Sequence, residues 1–395
     1  MAERGITDRH RVMRARDPRE AHRASTPLEL LFDLCFVVAV SQVATQWHHA
    51  LTEGHTGVGL LGYVMVFFAI WWAWMNFTWF ASAYDTDDVP YRLLTLLQMA
   101  GVLVLAAGVP AAFTDFDFTV ITLGYVVMRV AMIGQWLRAA AEHPEGRRTA
   151  LRYAAGIAVV QLGWLARLAL PQPWGLVGFL ALAAAEMLVP IWAEYRGEAT
   201  SWHPEHISER YGLLTIIVLG EVILATLAGV QDAISEHGLS PSVALVIVGG
   251  LILVFALWWI YFTGAEARLG SLRTALIWGY GHYLIFAAVA AVGAGLHTAL
   301  DVAEHAAHTS ARTGGFAVAV PVAMFLLVLL FLHRLTATGA ADRPIIIAGG
   351  AVLVLALAAA GNAMGIGATV AAIGLATAAT LAAELASAAR AAQRT

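Results

Sequence analysis

Apolar runs of about twenty residues follow one another along almost the whole chain, which is the length at which a helix crosses the hydrocarbon of a bilayer. Within lipid only a helix or a closed barrel can satisfy its own backbone. The runs are continuous rather than alternating, so a barrel is excluded. With 60% hydrophobic and 13% charged residues, the chain cannot hide its apolar side chains inside one water-soluble globule. The fold class expected is an all-α polytopic membrane helix bundle. Twelve spans are expected, near 28–48, 58–80, 92–112, 118–138, 152–170, 175–195, 207–230, 241–263, 275–298, 315–333, 344–361 and 366–386. The Ala- and Gly-rich sequence around Gly361-Asn362 also fits a tight hairpin or a re-entrant pair.

Arginine placement orients this set. The chain has no lysine, and with the N-terminus inside, all of its 23 arginines except Arg129, Arg167 and Arg312 fall at or near inner ends. Both termini are therefore expected in the cytoplasm, with a multi-pass location in a bacterial inner membrane. Residues 1–25 carry seven arginines and precede a run too long and too acidic for a signal peptide; they read as a mobile cytoplasmic arm. Cys35 is the single cysteine, which leaves no disulfide framework and no thiolate metal cluster. Nothing suggests a nucleic-acid partner.

Two segments look like copies of one unit. ELLFDLCFVVAVSQVAT starts at Glu29 and ERYGLLTIIVLGEVILAT starts at Glu209; each is followed by paired tryptophans, Trp71-Trp72 and Trp258-Trp259, and then by a charged turn. Parity of the spans makes the copies parallel. The expected organisation is a cytoplasmic arm (1–25), a first six-helix repeat (26–200), a second (201–388) and a cytoplasmic tail (389–395). Internally duplicated membrane proteins are commonly transporters.

Three polar signatures set in apolar sequence resemble the bacterial low-temperature-requirement A family: TPLELLFDLCFVVAVSQVA from Thr26, YDTDDVPYRLLTLLQM from Tyr84, and HISERYGLLTIIVLGE from His206. The resemblance spans most of the chain and implies a multi-pass membrane protein, named for growth in the cold. It implies no substrate and no reaction.

Chemistry must be read from charges placed where lipid makes them expensive, roughly 2.5–3.5 kcal/mol each at a helix centre. Glu29 and Asp33 share one helix face, with Asp33 about 6–9 Å inside the membrane by helical rise. Gln42 with Ser41, Glu221, Arg129 and Glu186 lie nearer helix centres. Asp33, Glu221 and Glu186 are candidate proton or cation ligands, with Arg129 as countercharge or anion ligand. A fixed ion pair between Arg129 and one of these carboxylates is the alternative. Glu29, Glu209 and Arg210 stand at helix entrances, where capping competes with a functional role.

The turn Asp85, Thr86, Asp87, Asp88 with Arg92 reads as a gate whose acids pair with arginines, or as a cap on the next helix. Its counterpart would be Glu266, Arg268 and Arg273. His282, inside the ninth span, is a candidate proton relay. His297, Asp301, Glu304, His305 and His308 form one helical stripe whose side chains could bind Zn²⁺ or another divalent ion, but a solvated helix end is favoured over metal, and His48, His49, His55, His203 and His206 have no stronger claim as ligands. Trp71, Trp72 and Trp74 fit core packing better than a stacking pocket.

The function expected is a proton- or cation-coupled secondary transporter or permease for an unknown small molecule, embedded in the lipid bilayer. No cofactor, no metal and no enzymatic activity are expected. The alternatives are a non-catalytic membrane scaffold or sensor, and an intramembrane lipid-modifying enzyme.

Overall fold

The computed structural model describes residues 10–18, 20, 23–195, 200–263, 269–304, 307, 309–336 and 344–393. Among them there is no strand. The apolar runs form α1 (Pro27–Thr52), α2 (Thr56–Tyr84), α3 (Val89–Ala107), α5 (Thr119–Glu142), α6 (Arg147–Arg167), α7 (Trp174–Glu194), α8 (Pro204–His237), α9 (Pro241–Thr263), α10 (Leu272–Ala303), α11 (Ala311–Thr336), α12 (Pro344–Ala359) and α14 (Ile366–Ala392). Two short pieces, α4 (Val109–Thr114) and α13 (Gly361–Met364), complete the described set.

Eleven of the described helices are long and apolar enough to cross a membrane. The exception among the twelve expected spans is α12, whose 16 residues rise only about 24 Å against a hydrocarbon thickness of about 30 Å. It is followed by α13 and by Gly365, whose φ of +80° turns the chain into α14. The run expected at 92–112 is broken at Gly108, because Pro110 has no N–H to continue the hydrogen-bond ladder. Outward-facing side chains such as Val159, Leu162, Leu224, Ile345 and Val352 are apolar and more than 60% exposed, as a lipid-facing surface requires.

The chain packs as two compact units. The first comprises the chain through Ala39 together with Phe68–Arg210; the second comprises Val40–Phe67 together with the chain from Tyr211. The division passes through α1, α2 and α8 and so cuts across the 26–200 and 201–388 segments. In the first unit α3, α5, α6 and α7 pack in sequence order, each against the next. α3 and α5 meet at Gly101 and Gly124, where a methyl on Gly124 would lie 2.6 Å from the Gly101 carbonyl oxygen. Aromatic side chains fill the interior: the Phe32 and Phe77 rings are 4.0 Å apart, and Trp136 stacks on Tyr153 at 4.1 Å.

In the second unit α9 pairs with α14, α10 with α11, and α12 with both α11 and α14. Every residue of α10 from Ile285 to Leu296 is buried, which fits a segment apolar on all sides. Small residues let helices approach without a hydrophobic driving force between them. α9 and α14 come so close that a methyl on Gly374 would collide with the Gly249 carbonyl.

The N-terminal arm departs from expectation. Its described residues are docked in the first unit rather than mobile. Met13 is fully buried, the Arg16 amide donates to the Ala83 carbonyl at 3.0 Å, and the Arg23 guanidinium donates to the carbonyls of Ala81 and Ser82. The physical reason is that carbonyls in the last turn of α2 keep free acceptor capacity and a partial negative charge, which arginine donors engage.

Gly374→Ala is expected to destabilise the protein by about 1–3 kcal/mol through overpacking, read as a lower unfolding temperature in detergent. Gly349→Ala, with no atom within 4 Å of the new methyl, is the control and should leave it unchanged or slightly raised.

Candidate functional site

The first turn of α1 is set by its own sequence. Thr26 and Glu29 form a reciprocal capping box: the Thr26 amide donates to Glu29 Oε2 at 2.8 Å, and the Glu29 amide donates to Thr26 Oγ1 at 3.3 Å. Capping and a wider role are therefore compatible, because Glu29 Oε1 is turned elsewhere. It lies 3.2 Å from His206 Nε2 and 3.5 Å from Arg210 Nη1. One turn on, Asp33 Oδ1 accepts from Arg210 Nη2 at 2.6 Å and from Trp74 Nε1 at 2.7 Å.

Glu29 and Asp33 are spaced i,i+4 on α1, and His206 and Arg210 are spaced i,i+4 on α8, so the two pairs meet as a ladder inside the first unit. All four side chains are at most 1% exposed. With His206 neutral, the ladder carries two negative charges against one positive. Its hydrogen bonding is also incomplete: Asp33 Oδ2, Arg210 Nε and Nη1, and His206 Nδ1 are buried without a hydrogen-bond partner.

A second buried pair in the same unit is built differently. Arg129 Nη2 stands 3.3 Å from Glu186 Oε2, and the guanidinium lies 4.4 Å above the Tyr125 ring and donates to its hydroxyl. Glu186 also accepts from Trp72 Nε1 at 2.7 Å, Trp164 Nε1 at 3.2 Å and the Tyr125 hydroxyl at 3.4 Å. Both carboxylate oxygens are thus engaged. Arg129 is the counterion of Glu186, and the counterion of Asp33 is Arg210.

The acidic turn joins the arm to the helices. Asp88 caps α3 by accepting from the Tyr91 amide at 3.0 Å; it also takes two bonds from Arg138, at 2.8 and 2.6 Å, and one from the Arg11 amide at 2.8 Å. Asp87 pairs with Arg92, and Asp85 with Arg16 at 3.3 Å. Cap and ion-pair readings hold together here. Burial pushes the Asp88 carboxyl up, but bonds from Arg138 and the backbone amides outweigh it and hold the group at about 2. For Asp85 burial wins, aided by the negative charge of Glu29 and opposed by Arg23 and Arg16, and the group is raised to about 6.

The ladder, the Arg129–Glu186 pair and the acidic turn lie within a region, residues 24–381, that matches the family model described as Bacterial low temperature requirement A protein. The chain belongs to that family. It is also similar to an uncharacterised protein of Rhizobium meliloti, 27% identical over 286 residues, which cover 67% of this chain and 64% of that protein. The matched segment thus spans less than two thirds of that relative.

Other residues singled out in this family member's sequence are dispersed. Glu209, the sequence counterpart of buried Glu29, is exposed and accepts from the Ser25 amide at 3.3 Å; the neighbouring Arg210 is the residue that turns inward. Glu221 and Gln42 are half-buried in the second unit, with the Ser41 hydroxyl beside Glu221. His282 is buried there between the Trp278 carbonyl, 2.8 Å from Nδ1, and the Tyr261 hydroxyl, 3.1 Å from Nε2. Trp71 and Trp72 are core residues, whereas Trp258 and Trp259 are about half exposed. The stripe on α10 divides: His297 and Asp301 lie beside His48 of α1, and Glu304 ends the helix. Glu266, Arg268, His305 and His308 lie outside the described residues, and Arg273 is exposed. His206 and Trp74 are the site residues that sequence reading did not bring together with Asp33. The signal for His206 was its i,i+4 spacing from Arg210, which mirrors Glu29 and Asp33.

Removing one member of a buried ion pair strands the other, so Arg210→Gln and Asp33→Asn are each expected to cost about 3–5 kcal/mol in detergent unfolding. The double variant should cost clearly less than the sum; additive losses would show that the pair does not interact. Asp85 gives a pH prediction. Its folded-state value, about 6, lies above the ordinary 3.8, so its contribution to stability is fully present below 3.8 and is lost as pH rises through 6. Relative to Asp85→Asn, the wild type should lose on the order of 3 kcal/mol across that window. Asp88 acts with the opposite sign, losing its contribution as pH falls from 3.8 toward 2.

Proposed function

We propose that this protein is a proton- or cation-coupled secondary transporter of the bacterial inner membrane, with both termini cytoplasmic, and that the ladder of Glu29, Asp33, His206 and Arg210 is its ion-responsive element. The observation that carries this reading is the combination of full burial, two carboxyl groups facing one guanidinium and one imidazole, and unpartnered polar atoms in one array. A buried array left one charge short favours uptake of a proton or a small cation, since unpaired charge in an apolar interior is costly. Protonation of Asp33 weakens its bond to Arg210, whose Nη1 already stands 3.5 Å from Glu29. The guanidinium then shifts to Glu29, and one proton exchanges one ion pair for another.

The closed shell around Glu186 supports the contrast, because a carboxylate with every oxygen engaged has no reason to change partner. Glu221, half-buried beside Ser41, supplies a further acid in the second unit. The sequence copies opening at Glu29 and Glu209 fit alternating access, which internally duplicated transporters use. The substrate is a small molecule of unknown class, and the reading needs no covalent chemistry. The fully engaged Glu186 carboxylate equally suits a membrane scaffold, in which neutral replacements in the ladder would be tolerated.

The test is proton and cation flux into liposomes holding the purified protein under a pH gradient. Asp33→Asn should abolish flux, Glu221→Gln should reduce it, and Asp87→Asn, at an exposed surface pair, should leave it intact. Wild-type flux in a folded Asp33→Asn protein would refute the assignment.

A further inference from the structure

A different set of ionisable groups lies in the second unit. His297 and Asp301 are spaced i,i+4 on α10 and so project from one face. His48, 7% exposed, projects toward them from the final turns of α1. His48 Nε2 is 2.7 Å from Asp301 Oδ2. The imidazoles of His48 and His297 stack 4.0 Å apart and within 9° of parallel. One ligand atom from each of the three residues lies within 4.8 Å of the others. α8 leaves space for this arrangement at Gly229, where a methyl would lie 2.8 Å from His297 Cδ2 and 3.2 Å from Nε2.

We infer that His48, His297 and Asp301 form a binding site for a divalent transition metal, with Zn²⁺ as the best match. Two imidazoles and one carboxylate are the donor types that Zn²⁺ takes, at about 2.0–2.2 Å each. Tetrahedral ligands at that bond length stand about 3.3 Å apart, longer than the 2.7 Å His48–Asp301 separation and within the 4.8 Å that bounds all three ligand atoms. Ca²⁺ and Mg²⁺ fit poorly because they demand shells of oxygen ligands. Three protein ligands leave the fourth position to water, the pattern of an open rather than a closed structural site. Asp232 of α8 lies near enough to act electrostatically on His297, adding negative charge around the cation.

The competing account is a simple His48–Asp301 hydrogen bond tying α1 to α10. That bond needs nothing from His297. The site is distinguished by the second imidazole held against the first, with Gly229 making room for it. The inference is independent of the transport reading, since it concerns different residues and a different cation.

The experiment uses full-length protein without a polyhistidine tag, stripped with chelator in detergent and titrated with Zn²⁺ alone by calorimetry and elemental analysis. One Zn²⁺ per chain is expected, with affinity reduced at least tenfold in His297→Ala and Asp301→Asn and unchanged in His55→Ala. Co²⁺ should give the intense visible absorption of a four-coordinate site in the wild type and not in His297→Ala. Saturating Zn²⁺ should raise the unfolding temperature of the wild type but not of that variant, which separates ligand loss from misfolding. Absence of binding by the folded wild type, or equal binding by both ligand variants, would overturn the site.

Discussion

The cost of placing charge in an apolar interior governs this structure. Every helix is apolar enough that a lone carboxylate or guanidinium inside the bundle would be strongly unfavourable, so each buried charge in the described part of the first unit is held by a specific partner on another element. The two principal clusters meet this requirement in opposite ways. Glu186 is enclosed by a guanidinium, two indole N–H groups and a phenol, an arrangement with no donor left to find. Asp33 receives one guanidinium bond and one indole bond while its second oxygen stays unpartnered. Incomplete satisfaction at a buried site is expensive, and such sites concentrate where a protein works rather than where it merely packs.

α2 is the element that both clusters share. Trp72 and Trp74 are two residues apart and therefore point about 200° away from each other around the helix axis. Trp72 donates to Glu186 of α7 and Trp74 donates to Asp33 of α1, so α2 lies between those helices within the unit. An indole N–H suits this position because its bulk packs among apolar neighbours while its single donor reaches a carboxylate. Trp72 and Trp74 thus serve packing and the buried acids at once.

Much of the architecture was legible in the sequence because it depends on local pattern. Apolar runs of spanning length place the helices to within a few residues, and Thr26 three positions before Glu29 spells a capping box. What the sequence concealed was rotation about helix axes. Glu29 and Glu209 occupy matching places in similar segments, yet one is buried and the other exposed, because α8 turns His206 and Arg210 inward instead. Arg129 was a candidate countercharge for Asp33, Glu221 or Glu186 alike, and its pairing with Glu186 while Asp33 takes Arg210 depends on non-local packing that no spacing rule encodes. Similarly, the α10 stripe suggested a site confined to one helix, whereas its ligand-bearing half faces a histidine from α1.

The docked arm shows why charge density is a poor guide to order. Seven arginines in 25 residues read as a repelling, solvated tail. Two arginines of its described part find acceptors instead: carbonyls at the end of α2 for Arg23, and the Asp85 carboxylate for Arg16. Asp85 sits near enough to Glu29 for the charge of one to disfavour ionisation of the other. A change of charge on the ladder therefore reaches the turn that holds the arm through electrostatics alone, without any intervening rearrangement. In this arrangement the arm is coupled to the buried acids by the same desolvation cost that orders the bundle, and its docking should respond to whatever neutralises them.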